Sequence, residues 1–86
     1  MQELKKELEI FDNLNRLHIL KYLKNRGERP VGDIADSAGV SFKTASRQLL
    51  YLAQKEILKR RYDGSFVLYK IGDKLSPITR TLISQL

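Results

Sequence analysis

The sequence of 86 residues predicts a mostly α-helical chain with one β-hairpin, in the order α-α-α-α-β-β-α. Three observations carry this. Apolar residues recur at helical spacing in four stretches before residue 56 and in one after residue 73. A Gly-containing break of about three residues, at Gly39, separates two of those stretches. Asp63-Gly64 divides two runs rich in β-branched and aromatic residues, a strong hairpin signal.

The first helix is expected over Gln2–Phe11, where Leu4, Leu8 and Phe11 fall at i, i+4, i+7 with charges between them. Its apolar stripe is narrow and needs a neighbour, either the body of the chain or a second copy. Asp12 and Asn13 are suitable caps for a second helix, Leu14–Asn25. Leu14, Leu17, Ile19, Leu20 and Leu23 give that helix a wide apolar stripe, and Gly27 stops it. Arg16, Lys21 and Lys24 are expected to face water or phosphate. Glu28-Arg29-Pro30 reads as a connector, because Pro30 disfavours helix at Arg29.

Val31–Ala38 is the third helix, with Val31, Ile34, Ala35 and Ala38 apolar, and Gly39 ends it. Ser41 caps the fourth helix, which runs to about Lys55. Val40, Ala45, Leu49 and Leu52 form its packing face, while Phe42, Lys43, Thr44, Ser46, Arg47 and Gln48 reach outward.

Ile57–Tyr62 and Ser65–Ile71 are the two strands. With Asp63-Gly64 as the loop, Tyr62 faces Ser65, Arg60 faces Val67 and Leu58 faces Tyr69. Leu58, Val67, Tyr69 and Ile71 then share a face that can cover the core, and Arg60, Arg61 and Tyr62 gather near the tip. Asp73 or Ser76 caps a last helix with Pro77 in its first turn. Leu75, Ile78, Leu82, Ile83 and Leu86 repeat along it at helical spacing. An apolar stripe of that length calls for a cover.

This order is that of a winged helix-turn-helix. One domain is expected over residues 1–86, with terminal helices at about 2–12 and 74–86 serving dimerisation through Leu4, Leu8, Phe11, Leu75, Ile78, Leu82, Ile83 and Leu86. The net charge is +6, unevenly spread: two lysines against four acids leave −2 in residues 1–12, and so +8 in residues 13–86. A basic body of this kind suggests a polyanionic partner.

The polar face of the fourth helix fits the DNA major groove. Lys43 and Arg47, four apart, share a helix face. The planar fork of Arg47 suits guanine O6 and N7, and Gln48 suits adenine or a phosphate. Ser41, Thr44 and Ser46 are small donors for the backbone. Phe42 fits either a thymine methyl or packing over the turn. Arg60, Arg61 and Tyr62 place positive charge where a hairpin meets flanking DNA.

Beyond these physical features, the runs NLNRLHILKYL, VGDIADSAGVSFKTASRQLLYL and KRRYDG, in this order and spacing, resemble the ArsR/SmtB-type winged-helix transcription regulators over roughly residues 10–73. The resemblance implies a homodimer built largely from the first and last helices. It also implies recognition helices (residues 41–55) in successive major grooves and wings (residues 58–71) on flanking DNA. Many members of the family sense metals through cysteines in the helix before the turn, or through His and acidic residues in the last helix. This sequence has no cysteine, and its one histidine, His18, lies in the second helix, where a partly buried structural role is expected. No metal site and no cofactor are expected, and no residue signature marks a small-molecule effector.

An enzyme fares badly: there is no cysteine, one histidine, no Gly-rich phosphate loop and no acid cluster at metal spacing. The alternatives to sequence-specific DNA binding are a winged-helix protein-interaction module and a non-specific architectural DNA-binding protein. No apolar run reaches membrane-spanning length, and MQELKKELEI lacks the apolar core of a signal peptide, so a cytoplasmic protein is expected.

Overall fold

A computed structural model describes residues 8–86. Residues 8–11 are helical (α1). They are followed by α2 (Leu14–Arg26), β1 (Arg29–Pro30), α3 (Val31–Ala38), α4 (Phe42–Gln54), β2 (Leu58–Asp63), β3 (Phe66–Ile71) and α5 (Pro77–Ser84). The predicted order is kept with one addition, β1. The predicted helix over Gln2–Phe11 lies mostly outside the described residues, and Leu4 with it.

The helix ends follow their caps. Asn13 Oδ1 accepts the Arg16 N–H at 3.1 Å, and Ser41 Oγ accepts that of Thr44 at 3.1 Å. Ser76 caps α5 in the same way, with Pro77 at its start. Between α3 and α4 the chain turns at Gly39, whose φ of +68° is left-handed. There the Val40 N–H reaches Ala35 O at 3.1 Å and the Gly39 N–H reaches Asp36 O at 3.2 Å. This double bond pattern closes α3 and leaves three residues before α4 begins.

The sheet runs in the order β1-β3-β2, all antiparallel, so β3 is central. The connector Glu28–Pro30 is therefore partly a strand: Arg29 pairs with Tyr69 and Pro30 with Leu68. The hairpin register differs from the expected one by two residues. Leu58 faces Ile71, Arg60 faces Tyr69, Tyr62 faces Val67, and Asp63 is still paired, with Phe66. The loop is Gly64-Ser65 rather than Asp63-Gly64. Gly64 has φ +62° as the first loop residue, the sign that a type II′ hairpin loop requires there. A shift of two leaves every side chain on its expected face. Leu58 and Tyr69 are accordingly buried, and Val67 and Ile71 pack against the core.

The core joins Ile19, Leu20 and Leu23 of α2 to Val31, Ile34 and Ala35 of α3 and to Ala45, Leu49 and Leu52 of α4. Complete burial of Leu49 and Leu52 stabilises the fold by about 1.5–3 kcal/mol each before entropy is counted. Those anchors set the height and rotation of α4.

Some predicted core positions differ. Leu14, in the first turn of α2, is 68% exposed. In α1 it is Ile10 that is buried, while Leu8 is 53% exposed and Phe11 half-buried. His18 is exposed rather than partly buried.

Candidate nucleic-acid interface

Burying Ala45, Leu49 and Leu52 turns the opposite side of α4 outward. Lys43, Arg47, Leu50 and Gln54, at successive three- and four-residue steps, are all exposed. Among the described residues neither Lys43 nor Arg47 has a hydrogen-bond or ion-pair partner, so two cations stand free one turn apart. Phe42, in the first turn of the same helix, is 62% exposed, so its ring is not consumed by packing over the turn. Ser41 is exposed, and Thr44 and Ser46 are half-buried beside it. The Ser41 hydroxyl also lies 3.0 Å from Thr44 Oγ1.

Gln48 has a partner within the chain. Its Oε1 accepts from Arg16 Nε at 2.9 Å. Arg16 Nη1 donates to the carbonyls of Glu9 at 2.9 Å and Ile10 at 3.4 Å, and the guanidinium lies 4.1 Å from the Tyr51 ring centroid. Arg16, expected to face water or phosphate, is thus a half-buried clasp joining the end of α1 to α4. Arg16 and Gln48 are separated by 32 positions, and no local pattern signals the pair. Lys24, also expected outward, donates to the last carbonyls of the chain, Ser84 O at 2.9 Å and Leu86 O at 3.2 Å.

The three wing residues divide between two faces, because neighbours on a strand point oppositely. Arg60 Nη2 donates to Tyr62 Oη at 2.7 Å, and its guanidinium lies 4.9 Å from that ring's centroid. Arg61 turns the other way and forks onto Glu28, with contacts of 2.7–3.0 Å. Arg61 holds the Glu28 carboxyl below its ordinary pKa, first through these hydrogen bonds, and Glu28 raises Arg61 in return. Phe66, which no motif in the sequence marks, is 62% exposed on the strand after the loop.

Of the residues expected at a dimer interface, Leu8 and Ile78 are exposed. Phe11, Leu75 and Leu86 are partly buried against the core, and Leu82 is half-buried. Ile83 is 5% exposed, buried within its own chain. Among the described residues no group of three or more His, Cys, Asp or Glu side chains is placed to hold a metal ion, and no helix is long and apolar enough to cross a membrane.

Comparison with known proteins gives consistent results. The model of the bacterial regulatory protein, arsR family, matches residues 13–59. The AntR antimony-specific transcriptional repressor is 26% identical, with 98% of this chain and 73% of that one covered and a TM-score of 0.84. A homodimeric winged helix-turn-helix DNA-binding domain from Mycobacterium bovis, described as a possible ArsR-family transcriptional regulator, is 27% identical. There 98% of this chain and 74% of that one are covered, with a TM-score of 0.79. The transcriptional repressor BigR from Xylella fastidiosa shares the fold at 24% identity, 99% and 83% coverage and a TM-score of 0.82. No curated protein sequence matches. With a family model spanning more than half its length and a winged helix-turn-helix architecture, the chain belongs to the ArsR family of bacterial regulatory proteins.

Proposed function

We propose that this chain is a non-enzymatic, sequence-specific transcription regulator that binds double-stranded DNA as a homodimer in the cytoplasm. The observation that carries the reading is the free cationic ridge of α4, Lys43 and Arg47, on a helix anchored by three buried side chains. A helix presenting unpaired cations and short polar side chains from its first turns suits the major groove. Arg47 reads guanine, and Ser41, Thr44 and Ser46 approach the backbone. Phe42 is available to a thymine methyl.

Arg60 and Tyr62 meet flanking DNA from the wing. Arg61, on the other face of the hairpin, is held by Glu28 and reaches a phosphate only by leaving it. Exposed Leu8 and Ile78 support dimerisation through the terminal helices, as does the homodimeric relative. Antimony specificity is not carried over: these residues include no cysteine, and soft ions favour sulfur ligands such as thiolates.

Anisotropy titrations of wild type and two variants against a bound duplex test the reading. Arg47→Ala is expected to cost about 1–3 kcal/mol and to relax base preference. Arg60→Ala is expected to weaken all sequences alike and to reduce the salt slope by about 1. Unchanged affinity in both variants would show that DNA does not contact this surface. Failure of the wild type to bind DNA at physiological salt would favour a protein-interaction module.

A further inference from the structure

We propose that Arg16 is a specificity-determining positioning residue: it holds Gln48 so that the amide presents Nε2 and selects guanine over adenine at the base pair Gln48 meets. The inference rests on the reading that α4 enters the major groove.

An arginine has donors and no acceptor. The end of the Gln48 amide that faces Arg16 Nε, at 2.9 Å, must therefore be the oxygen. Rotating the amide by half a turn would set its NH₂ against an N–H. Gln48 does not hold Arg16 alone. The guanidinium is also fixed by the Glu9 and Ile10 carbonyls at the end of α1 and by the Tyr51 ring at 4.1 Å. Glu9 O also accepts the Asp12 N–H at 3.2 Å, while the Arg16 bond gives the last-turn carbonyl of Ile10 a partner. These three contacts hold the guanidinium independently of the amide.

The consequence lies in the groups left over. Glutamine reads adenine with both ends of its amide, the oxygen accepting from N6 and the nitrogen donating to N7. Here one of the oxygen's two lone pairs accepts from a cation, whose positive charge disfavours a second N–H donor at the other. Among the described residues the Gln48 Nε2 has no acceptor. A free NH₂ beside an oxygen facing a cation matches guanine, which offers N7 and O6 side by side. It mismatches adenine, whose N6 amino group needs the oxygen. Arg16 touches no base in this scheme; it determines which end of Gln48 does.

Selection of bound duplexes from a random pool tests this with wild type, Gln48→Met, Arg16→Met, Arg16→Lys and Arg47→Ala. Wild type is expected to take guanine over adenine by about fivefold at one position of each half-site, a factor appropriate to one hydrogen bond. Gln48→Met loses that choice. Arg16→Met loses it as adenine gains, while Arg16→Lys keeps it because an ammonium still donates to Oε1. Three results would overturn the inference: adenine at the Gln48-dependent position in wild type, no position altered by Gln48→Met, or a guanine choice that survives Arg16→Met. If Arg16→Met shows no cooperative melting, the base identified by wild type and Gln48→Met decides. A sequence preference altered by Arg47→Ala but not by Gln48→Met removes this inference and leaves the proposed function standing. No preference in wild type removes both.

Discussion

The α4 helix is bracketed by two copies of one backbone motif, occupied by opposite kinds of residue. Before it, Gly39 has φ +68°, with Gly39 N–H to Asp36 O at 3.2 Å and Val40 N–H to Ala35 O at 3.1 Å. After it, Glu56 has φ +61°, with Glu56 N–H to Ala53 O at 3.0 Å and Ile57 N–H to Leu52 O at 2.9 Å. A left-handed backbone costs a side-chain-bearing residue roughly 1–2 kcal/mol and glycine almost nothing. Opposing this, alanine in place of glycine restricts the unfolded chain and recovers roughly 0.4–1 kcal/mol. At Gly39 a Cβ would meet nothing within 4 Å, so no steric cost adds to the difference. Gly39→Ala is therefore expected to destabilise by about 1 kcal/mol. Glu56 is exposed and makes no side-chain hydrogen bond or ion pair among the described residues, so Glu56→Gly is expected to stabilise by about as much. For a chain of this length each change corresponds to roughly 4–8 °C in Tm, in opposite directions. Urea titrations followed by circular dichroism, at unchanged m-value, measure both. Movement in the same direction, or an unmoved Gly39→Ala, would refute the idea that left-handed closure governs both ends of the helix.

Three further outcomes are expected. Leu52→Ala, at a fully buried position, should cost about 2–5 kcal/mol in the same titration, and its DNA affinity should recover when enough stabilising osmolyte is added to refold it. Ser41→Ala removes the acceptor for the Thr44 N–H and should cost about 1 kcal/mol in stability. The Glu28 carboxyl titrates lower in the folded chain than in the unfolded one, so its contribution is present above the unfolded value and lost as pH falls through the folded value. Thermal melts of Glu28→Gln and wild type should therefore differ near neutrality and converge in acid; a gap that widens in acid would reverse the sign.

Helix bounds were readable wherever a side chain announces them. Asn13, Ser41 and Ser76 cap as their residue types suggest, and Gly39 closes α3. The close of α4 was less visible because Glu56 occupies a position where glycine is usual. The hairpin was legible as a hairpin, yet Asp63-Gly64 and Gly64-Ser65 are both acceptable loops, and a shift of two preserves the apolar face that a pattern can detect. Two residues containing a proline, as in β1, carry no periodicity at all.

In the site, the i, i+4 spacing of Lys43 and Arg47 was sufficient to place them on one ridge. The partners of Gln48 and Arg61 were not readable, because Arg16 and Glu28 lie 32 and 33 positions away in sequence. Only the fold brings them within hydrogen-bond reach: Arg16 of α2 meets Gln48 of α4, and Glu28, just before the edge strand β1, meets Arg61 of β2 across the central strand β3.

The central claim is that two copies of this chain read DNA through paired α4 helices. Selection of bound duplexes from a random pool, with the stoichiometry of the selected complex read by native mass, tests it most directly. The expected result is an inverted repeat whose half-site centres lie about 34 Å apart, bound by two chains. A pool with no enriched sequence, or an enriched site bound by a single chain, would contradict it.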